Sequence, residues 1–351
     1  MTASYKDETA RLRVLAYERS DHTDLSLKWL EKQGAQVTRG RAMWDRAPDR
    51  FSEDEIISLA QGYETLIGAS GANLTQRVIE ALPKLRYISK IGIGVDSIDV
   101  SAATRAGVLV TNSPVDTQVT SVCEHAIAMI LALRKKFLVW TPEFMRAGGW
   151  RADVFSGSLT GSVVGIVGFG RIGRGVAERL SNWGVKILVH DPYVTAVPEG
   201  LHLTDLATLA RESDAITLHA AATPSNKGLI GAETMALMKP TAILVNTGRG
   251  SLVDYEALRT VLAEGRIAGV GLDVFEREPP DPEDPLFRMN NVLVTPHISS
   301  WTYEGLENTG WRAAQNAWSM MCGERPDDLV NPEVLETSAR PGVDAREERP
   351  L

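Results

Sequence analysis

The glycines of Gly168-Phe-Gly170-Arg-Ile-Gly173 and the acidic Asp191, 18 residues further on, are spaced to bind a dinucleotide. Gly168 permits a tight turn after a strand, and Gly170 lets the backbone approach a pyrophosphate. Gly173 lets the following helix pack closely on that strand. The pyrophosphate would lie on the free amides at the start of the helix opened by Arg171, where the helix dipole also favours an anion.

Asp191 indicates which dinucleotide would bind. Val185, Ile187 and Val189 alternate with other residues along the predicted second strand, which leads to Asp191. A carboxylate at this point can accept hydrogen bonds from both ribose hydroxyls, and it would repel a 2′-phosphate. The sequence therefore predicts NAD as the cofactor rather than NADP. A glycine-rich turn alone would be weak evidence, but the strand, the helix and the spaced acid agree.

Three further polar residues lie at positions suited to chemistry. Arg249, Glu278 and His297 each follow a short apolar run typical of a buried strand. Open α/β sheets bind their ligands at the carboxyl ends of such strands. Each residue alone has an ordinary explanation, as a surface cation, a solvated acid or a structural histidine. Together, and beside a predicted nicotinamide cofactor, they are candidate catalytic residues.

The elements that would position these residues form two α/β units, each with a parallel sheet covered on both faces. In the first unit, strands are predicted at 13–17, 35–38, 65–69, 87–90 and 108–111, with helices at 24–33, 53–61, 74–81 and 101–106. A long helix at 119–137 leads to the second unit, with strands at 163–167, 186–189, 215–218, 242–246, 269–272 and 292–294. A helix at 303–321 returns the chain to the first unit. An active site is expected in a cleft between the two units.

Composition excludes several other classes of protein. The 351 residues carry a formal net charge of −8 without a basic run, which argues against a nucleic-acid partner. Cys123 and Cys322 lie far apart and form no Cys/His cluster, so neither a zinc site nor another metal site is expected. The polar first 13 residues do not look like a signal peptide, and no apolar run reaches the ~18 residues that a membrane span needs. The sequence predicts a cytoplasmic protein without a membrane partner.

The chain resembles the D-isomer-specific 2-hydroxyacid dehydrogenases, the family of phosphoglycerate, glycerate and D-lactate dehydrogenases, from residue 12 to about residue 331. Four segments carry the resemblance: 92–99; 163–173 with 190–192; 246–253; and 272–280 with 295–297. The resemblance implies a Rossmann NAD-binding domain at 114–298, inserted into a flavodoxin-like substrate domain formed by 1–113 and 299–336. Residues 337–351 would form a flexible tail.

The resemblance also implies roles for the three candidate catalytic residues. Arg249 would grip the carboxylate and the reacting oxygen of a small D-2-hydroxy acid or its 2-keto acid. His297 would be the general acid–base, and Glu278 would hold its ring and favour its charged form. The backbone amides of Ile93 and Gly94 would bind the substrate carboxylate.

For the cofactor, the resemblance implies contacts from the whole glycine loop, including Arg171 and Ile172, and from Asp191. Ala220, Thr247 and Gly248 would line the nicotinamide side, and Asp273 would contact the carboxamide. Two positions depart from the family pattern: Ala220 lacks a hydroxyl that is often found there, and Ser299 stands where glycine is common. The side-chain pocket is not specified by the family, and Met43, Trp44, Lys90 and Trp301 are candidate wall residues. His125 is interpreted as a packing or interface residue, and His190 as structural.

Two alternatives remain open at this stage. Formate dehydrogenase has a similar fold but pairs its histidine with glutamine, so Glu278 argues against it. A non-enzymatic, NAD-sensing dimer similar to the C-terminal-binding co-repressors would keep a similar Arg/Glu/His set. The family resemblance predicts a homodimer in either case, formed through the helix after Val119 and the aromatic segment 140–150.

Overall fold

The computed structural model describes residues 12–45, 50–150 and 153–336. The chain divides into two compact units, one formed by 1–118 with 302–351 and the other by 119–301. Each unit contains a parallel sheet with interleaved helices, so the predicted α/β fold class is confirmed. The predicted tail at 337–351 lies outside the described residues.

The first unit is built on a five-stranded sheet. In chain order its strands are β1 (Arg13–Arg19), β2 (Gln36–Ala42), β3 (Thr65–Gly68), β4 (Tyr87–Lys90) and β5 (Leu109–Thr111). Its helices are α1 (Leu25–Gln33), α2 (Glu53–Ala60), α3 (Gln76–Glu80) and α4 (Val100–Arg105). The strands lie in the order β2-β1-β3-β4-β5, which is the order of flavodoxin-like folds.

The long helix α5 (Asp116–Arg134) leads into the second unit, where α6 (Pro142–Arg146) follows. The strands of this unit are β6 (Val163–Val167), β7 (Lys186–His190), β8 (Leu201–Leu203), β9 (Ala215–Leu218), β10 (Ile243–Asn246), β11 (Gly269–Leu272) and β12 (Val292–Val294). The helices are α7 (Arg171–Leu180), α8 (Leu206–Glu212), α9 (Ala232–Leu237) and α10 (Tyr255–Ala263). The strand order β12-β11-β10-β9-β6-β7-β8 is that of a Rossmann domain extended by one strand.

Helix α11 (Tyr303–Met321) returns the chain to the first unit, as predicted. Ser89 in β4 donates a hydrogen bond to the carbonyl of Ala313 at 2.8 Å, and Ser20 donates to the carbonyl of Leu306 at 3.1 Å. Further on, the buried side chain of Asn331 accepts from the amide of Val110 at 2.8 Å. These bonds link the end of the described chain to the sheet formed at its beginning.

Two of the differences between the second unit and the sequence prediction concern β8 and the long helix. Strand β8 was not predicted, because His202 and Leu203 in this short edge strand are exposed and give no apolar run. The long helix was predicted at 119–137 but occupies Asp116–Arg134. Shortly after that helix ends, Lys136 adopts a left-handed conformation with φ of 58°, which a continuing α-helix would not allow.

Strands β9, β10 and β11 are buried at every residue, as is typical of a parallel sheet covered on both faces. Their side chains form the centre of the second unit's core, so the strands are held in one register. Within the described ranges, no helix has both the length and the apolar character required to cross a membrane.

Candidate active site

Three neighbouring strands end side by side at the carboxyl edge of the second unit's sheet. Asn246 of β10 pairs with Leu272 of β11, and Leu272 pairs with Val294 of β12. The loops that follow these three strands therefore start next to one another. They carry Arg249, Glu278 and His297, the three predicted catalytic residues.

Glu278 and His297 are in direct contact. The Nδ1 atom of His297 lies 2.7 Å from Oε2 of Glu278. The other carboxylate oxygen, Oε1, accepts a hydrogen bond from the amide of Phe275 at 3.1 Å, so the carboxylate is held from two sides. An ionised carboxylate can only accept, and Nδ1 therefore carries a hydrogen. This leaves Nε2 of the half-exposed ring to exchange a proton.

The loop that carries His297 is held by Asp273, the first residue after β11. Its carboxylate is fully buried and accepts from the amides of Ile298 at 2.8 Å and Ser299 at 3.0 Å. It also accepts from the hydroxyl of Thr295 at 2.6 Å. Asp273 thus fixes the backbone on both sides of His297, whose own amide donates to the carbonyl of Asp273 at 2.8 Å. Contact of Asp273 with a nicotinamide carboxamide stays a prediction.

Arg249 lies in a loop that is closely packed against the loop of Glu278. The side chain of Asn246 donates to the carbonyl of Arg249 at 2.9 Å. A side chain on the next residue, Gly250, would meet the carbonyl oxygen of Phe275 at 1.9 Å, so the two loops touch backbone to backbone. This contact, together with the shared sheet edge, brings the Arg249 loop to the Glu278–His297 pair.

The glycine loop has the form that a dinucleotide requires. Gly168 has φ of 90°, and a Cβ there would lie 2.4 Å from the amide nitrogen of Ala220. A Cβ on Gly173 would lie 2.1 Å from the carbonyl oxygen of Gly168, so the helix packs tightly on the turn. In contrast, apart from its chain neighbours, no described atom lies within 4 Å of a Cβ placed on Gly170, the residue that precedes α7. The backbone at Gly170 is therefore open to a bound group, and pyrophosphate binding there stays a prediction.

The other predicted cofactor residues adjoin this loop. Ala220 packs against Gly168, and a Cβ on Gly248 would lie 3.1 Å from the carbonyl of Leu218 and 3.4 Å from that of Ala220. Arg171 and Ile172 form the first turn of α7. The predicted contacts along the cofactor therefore form one continuous line from Gly168 to Gly248.

Asp191 lies just after β7, and its contact with a ribose stays a prediction. Its two oxygens accept from the amides of Phe169 at 2.7 Å and Tyr193 at 2.9 Å. Because each carboxylate oxygen has two acceptor positions, both can still accept from a ribose hydroxyl. The amide of Phe169 also ties Asp191 to the glycine loop, which fixes the carboxylate relative to Gly168 and Gly170.

In the first unit, the predicted substrate loop follows β4. Gly92 has φ of 106°, a conformation that glycine adopts readily. The carbonyl of Gly92 accepts from the amide of Ser113, and that of Ile93 accepts from the side chain of Asn112, both at 2.9 Å. These bonds fix the orientation of the peptide groups that precede Ile93 and Gly94. The nearby Lys90, a candidate wall residue, is buried and donates to the carbonyl of Ile91 at 2.8 Å.

Two histidines that the sequence did not assign to the site also lie at the carboxyl edge of the second sheet. Nε2 of His219 lies 2.9 Å from the hydroxyl of Thr217, and its Nδ1 lies 3.5 Å from that of Thr247. Burial lowers the pKa of His219 from 6.5 to about 3, so its ring is neutral. His125 reaches Thr295 from α5 at 2.9 Å. Neither has a sequence motif, although a histidine amid apolar helix residues could have drawn attention to His125.

Comparison with known proteins gives related matches along most of the chain. Residues 127–299 match the family model described as D-isomer specific 2-hydroxyacid dehydrogenase, NAD binding domain. The glyoxylate reductase of Thermococcus litoralis is 42% identical over 297 residues, which cover 81% of this chain and 88% of that protein.

Across the described ranges, no group of three His, Cys, Asp or Glu side chains is arranged to hold a metal ion.

The D-3-phosphoglycerate dehydrogenase of Archaeoglobus fulgidus is 35% identical over 317 residues, covering 89% of this chain but 58% of that enzyme. The chain thus spans little more than half the length of this relative. A solved structure of a protein from Thermus thermophilus has a TM-score of 0.82 at 30% identity, covering 91% of this chain and all of that one. The fold similarity therefore extends through both units.

Two glycine substitutions test the glycine loop. Gly170→Asp should leave the fold intact, because the site of its side chain is open, yet it should abolish NADH binding by placing a negative charge at the pyrophosphate position. Gly168→Ala should instead lower the free energy of unfolding, since it requires a left-handed alanine that meets Ala220. NADH fluorescence and urea denaturation measure the two effects. Unimpaired NADH binding by the Gly170→Asp protein would contradict the assignment.

A second prediction follows from the low pKa of His219. The unfolded chain takes up a proton at this residue as the pH falls below 6.5, whereas the folded chain does so only near pH 3. Above pH 6.5 the ring is neutral in both states, and the free energy of unfolding has its full value. As the pH falls below 6.5, protons bind the unfolded chain preferentially, and the free energy of unfolding decreases. Between pH 7 and pH 5, the wild type should lose about 2 kcal/mol more free energy of unfolding than His219→Gln. Equal losses in urea denaturation would refute this.

Proposed function

The chain belongs to the D-isomer-specific 2-hydroxyacid dehydrogenase family, and we propose that it interconverts a small D-2-hydroxy acid and its 2-keto acid with NAD. The observation that carries this proposal is the 2.7 Å contact between Nδ1 of His297 and Glu278, beside the Arg249 loop. Its relatives include both a glyoxylate reductase and D-3-phosphoglycerate dehydrogenases, so an activity like that of a glyoxylate or hydroxypyruvate reductase or of a phosphoglycerate dehydrogenase is proposed.

In the proposed mechanism, the protein supplies charge and proton transfer while the bound nicotinamide supplies or accepts the hydride. The guanidinium of Arg249 binds the substrate carboxylate and polarises the reacting oxygen. His297 donates its Nε2 proton to that oxygen during reduction and removes it during oxidation. Glu278 stabilises the imidazolium, which is the proton donor in reduction and is formed when His297 removes the proton in oxidation. The family resemblance implies that the amides of Ile93 and Gly94 would contribute to substrate binding.

We assign the cofactor to the residues of the glycine loop and its neighbours. The amides that open α7 at Arg171 and Ile172 would hold the pyrophosphate in the space left by Gly170. Asp191 would accept from the ribose hydroxyls and disfavour a 2′-phosphate, which supports NAD rather than NADP. Thr247 and Asp273 would contact the nicotinamide half.

A panel of 2-keto acids tests this function directly. With glyoxylate, hydroxypyruvate and pyruvate, we expect NADH consumption that is greatest for one of the first two, and much slower consumption of NADPH. Tight NADH binding without turnover of any acid would refute the enzyme and favour an NAD-sensing dimer instead. A preference for NADPH would contradict the role of Asp191.

Matched variants in the same assay separate the roles at the site. His297→Asn should lower kcat by about a thousandfold, because general acid–base catalysis typically contributes a hundred- to ten-thousandfold. Glu278→Gln should retain more activity but move the pH profile of kcat/KM to lower pH, since an amide cannot stabilise the imidazolium. An unchanged profile would exclude the proposed role of Glu278.

We further propose that the protein is a homodimer formed through the segment 137–155 of the second unit. This segment exposes five large apolar side chains: Phe137 at 61%, Trp140 at 37%, Met145 at 51%, Trp150 at 72% and Phe155 at 85%. Exposed apolar side chains concentrated in so short a segment are typical of a protein interface. The family resemblance implies an overlapping interface, formed by the helix after Val119 and residues 140–150.

Removing the two most exposed of these side chains tests the dimer. The double variant Trp150→Ser, Phe155→Ser should sediment as a monomer at micromolar concentration, where the wild type should sediment as a dimer. Trp183→Ser is the matched control, because Trp183 is also exposed but lies outside this segment. A wild type that sediments as a monomer would overturn the proposal.

A further inference from the structure

We infer that His125 is a positioning residue for the proposed reaction, acting on His297 through Thr295 and Asp273. These three residues, His125, Thr295 and Asp273, are called the loop clamp. The inference rests on the proposed function, since it assigns His125 a role in holding the acid–base group. His125 contacts the loop of His297 at Thr295, two residues before the acid–base group.

The loop clamp is a chain of two hydrogen bonds. Nε2 of His125 in α5 lies 2.9 Å from Oγ1 of Thr295, and that hydroxyl lies 2.6 Å from Oδ1 of Asp273. The imidazole nitrogen is also only 3.9 Å from the same carboxylate oxygen. Helix α5 thus contacts the start of the His297 loop through His125, which lies 170 residues before Thr295 in the sequence.

The direction of these bonds follows from the number of hydrogens available. The Asp273 carboxylate can only accept, so the single hydroxyl hydrogen of Thr295 is donated to it. The hydroxyl oxygen is then an acceptor toward His125, whose Nε2 must carry a hydrogen. His125 is therefore the first donor in this series of two hydrogen bonds. An apolar replacement would leave the Thr295 oxygen without this partner.

The loop clamp matters because the Asp273 carboxylate is fully buried. A buried charge is stable only when hydrogen bonds replace its water, and here the donors are Thr295, Ile298 and Ser299. All three belong to the loop that contains His297. The bond from His125 holds the hydroxyl of Thr295 in the rotamer that points to Asp273, and so fixes one end of this loop.

His297 needs such support because its backbone is left-handed, with φ of 55°. L-residues other than glycine adopt this conformation only where the surrounding structure imposes it. Its amide bonds to the carbonyl of Asp273, and its Nδ1 bonds to Glu278. Loosening the Thr295 end would allow the ring to turn away from Glu278, which would lower the rate of proton transfer without removing any substrate contact.

The experiment compares His125→Leu with His125→Gln in the full-length protein with NADH and the best acid of the panel. His125→Leu removes the donor and should lower kcat about tenfold, with KM and NADH affinity changed less than about twofold. His125→Gln keeps an N–H at similar reach and should restore kcat to within about threefold of the wild type. Thermal midpoints of both variants separate this effect from a loss of stability.

If His125→Leu does not fold, a second pair of variants tests the same hydrogen bonds at Thr295. Thr295→Val removes the hydroxyl and should lower kcat more than Thr295→Ser, which keeps it. A spectroscopic signature is available too: the low-field proton signal of the His297 Nδ1–H bonded to Glu278 should weaken in His125→Leu and Thr295→Val, and persist in His125→Gln and Thr295→Ser.

The outcomes distinguish this inference from the proposed function. Equal kcat in His125→Leu and the wild type, or equal losses in the Leu and Gln variants, would overturn the positioning role while the function stands. An unaltered low-field signal in His125→Leu would overturn it as well. A wild type that turns over no acid in the panel would instead overturn the function, and the kinetic role of His125 with it.

Discussion

The buried carboxylate of Asp273 is the group on which the candidate site depends. Its side chain is removed from water, so its charge must be balanced by nearby donors. The hydroxyl of Thr295 and the amides of Ile298 and Ser299 supply that balance, and all of them come from one loop. The need to stabilise one charge therefore determines the path of the chain on both sides of His297, including its left-handed backbone.

The segment 248–250 links the proposed cofactor half of the site to the proposed acid–base half. Gly248 packs against the loop of Ala220, which in turn packs against Gly168 of the glycine loop. Two residues later, Gly250 packs against the carbonyl of Phe275, whose amide bonds to Glu278. Arg249 lies between these two contacts. A shift of either loop would consequently move the guanidinium together with its neighbours, so binding and proton transfer share one framework.

Sequence patterns predicted the parts of the molecule that follow local rules. The buried strands β9, β10 and β11 are continuous apolar runs, and the glycine spacing has its own geometric requirement, so both could be predicted. Strand β8 could not, because an exposed edge strand needs no apolar residues. The bond from His125 to Thr295 joins residues 170 positions apart and depends on the direction of one hydroxyl hydrogen. No periodicity or motif in a single sequence carries that information.

The two glycines around Arg249 limit how this site can diversify. A side chain at Gly250 would overlap the backbone of Phe275 and displace that loop, and a side chain at Gly248 would press against the carbonyl oxygens of Leu218 and Ala220. Position 249 can therefore be substituted, but the arginine could not be transferred to position 248 or 250, because neither accepts a large side chain. New substrate preferences in such a scaffold would therefore have to arise elsewhere, by remodelling surfaces that recognise the rest of the substrate while the arginine, the proposed anion anchor, stays in place.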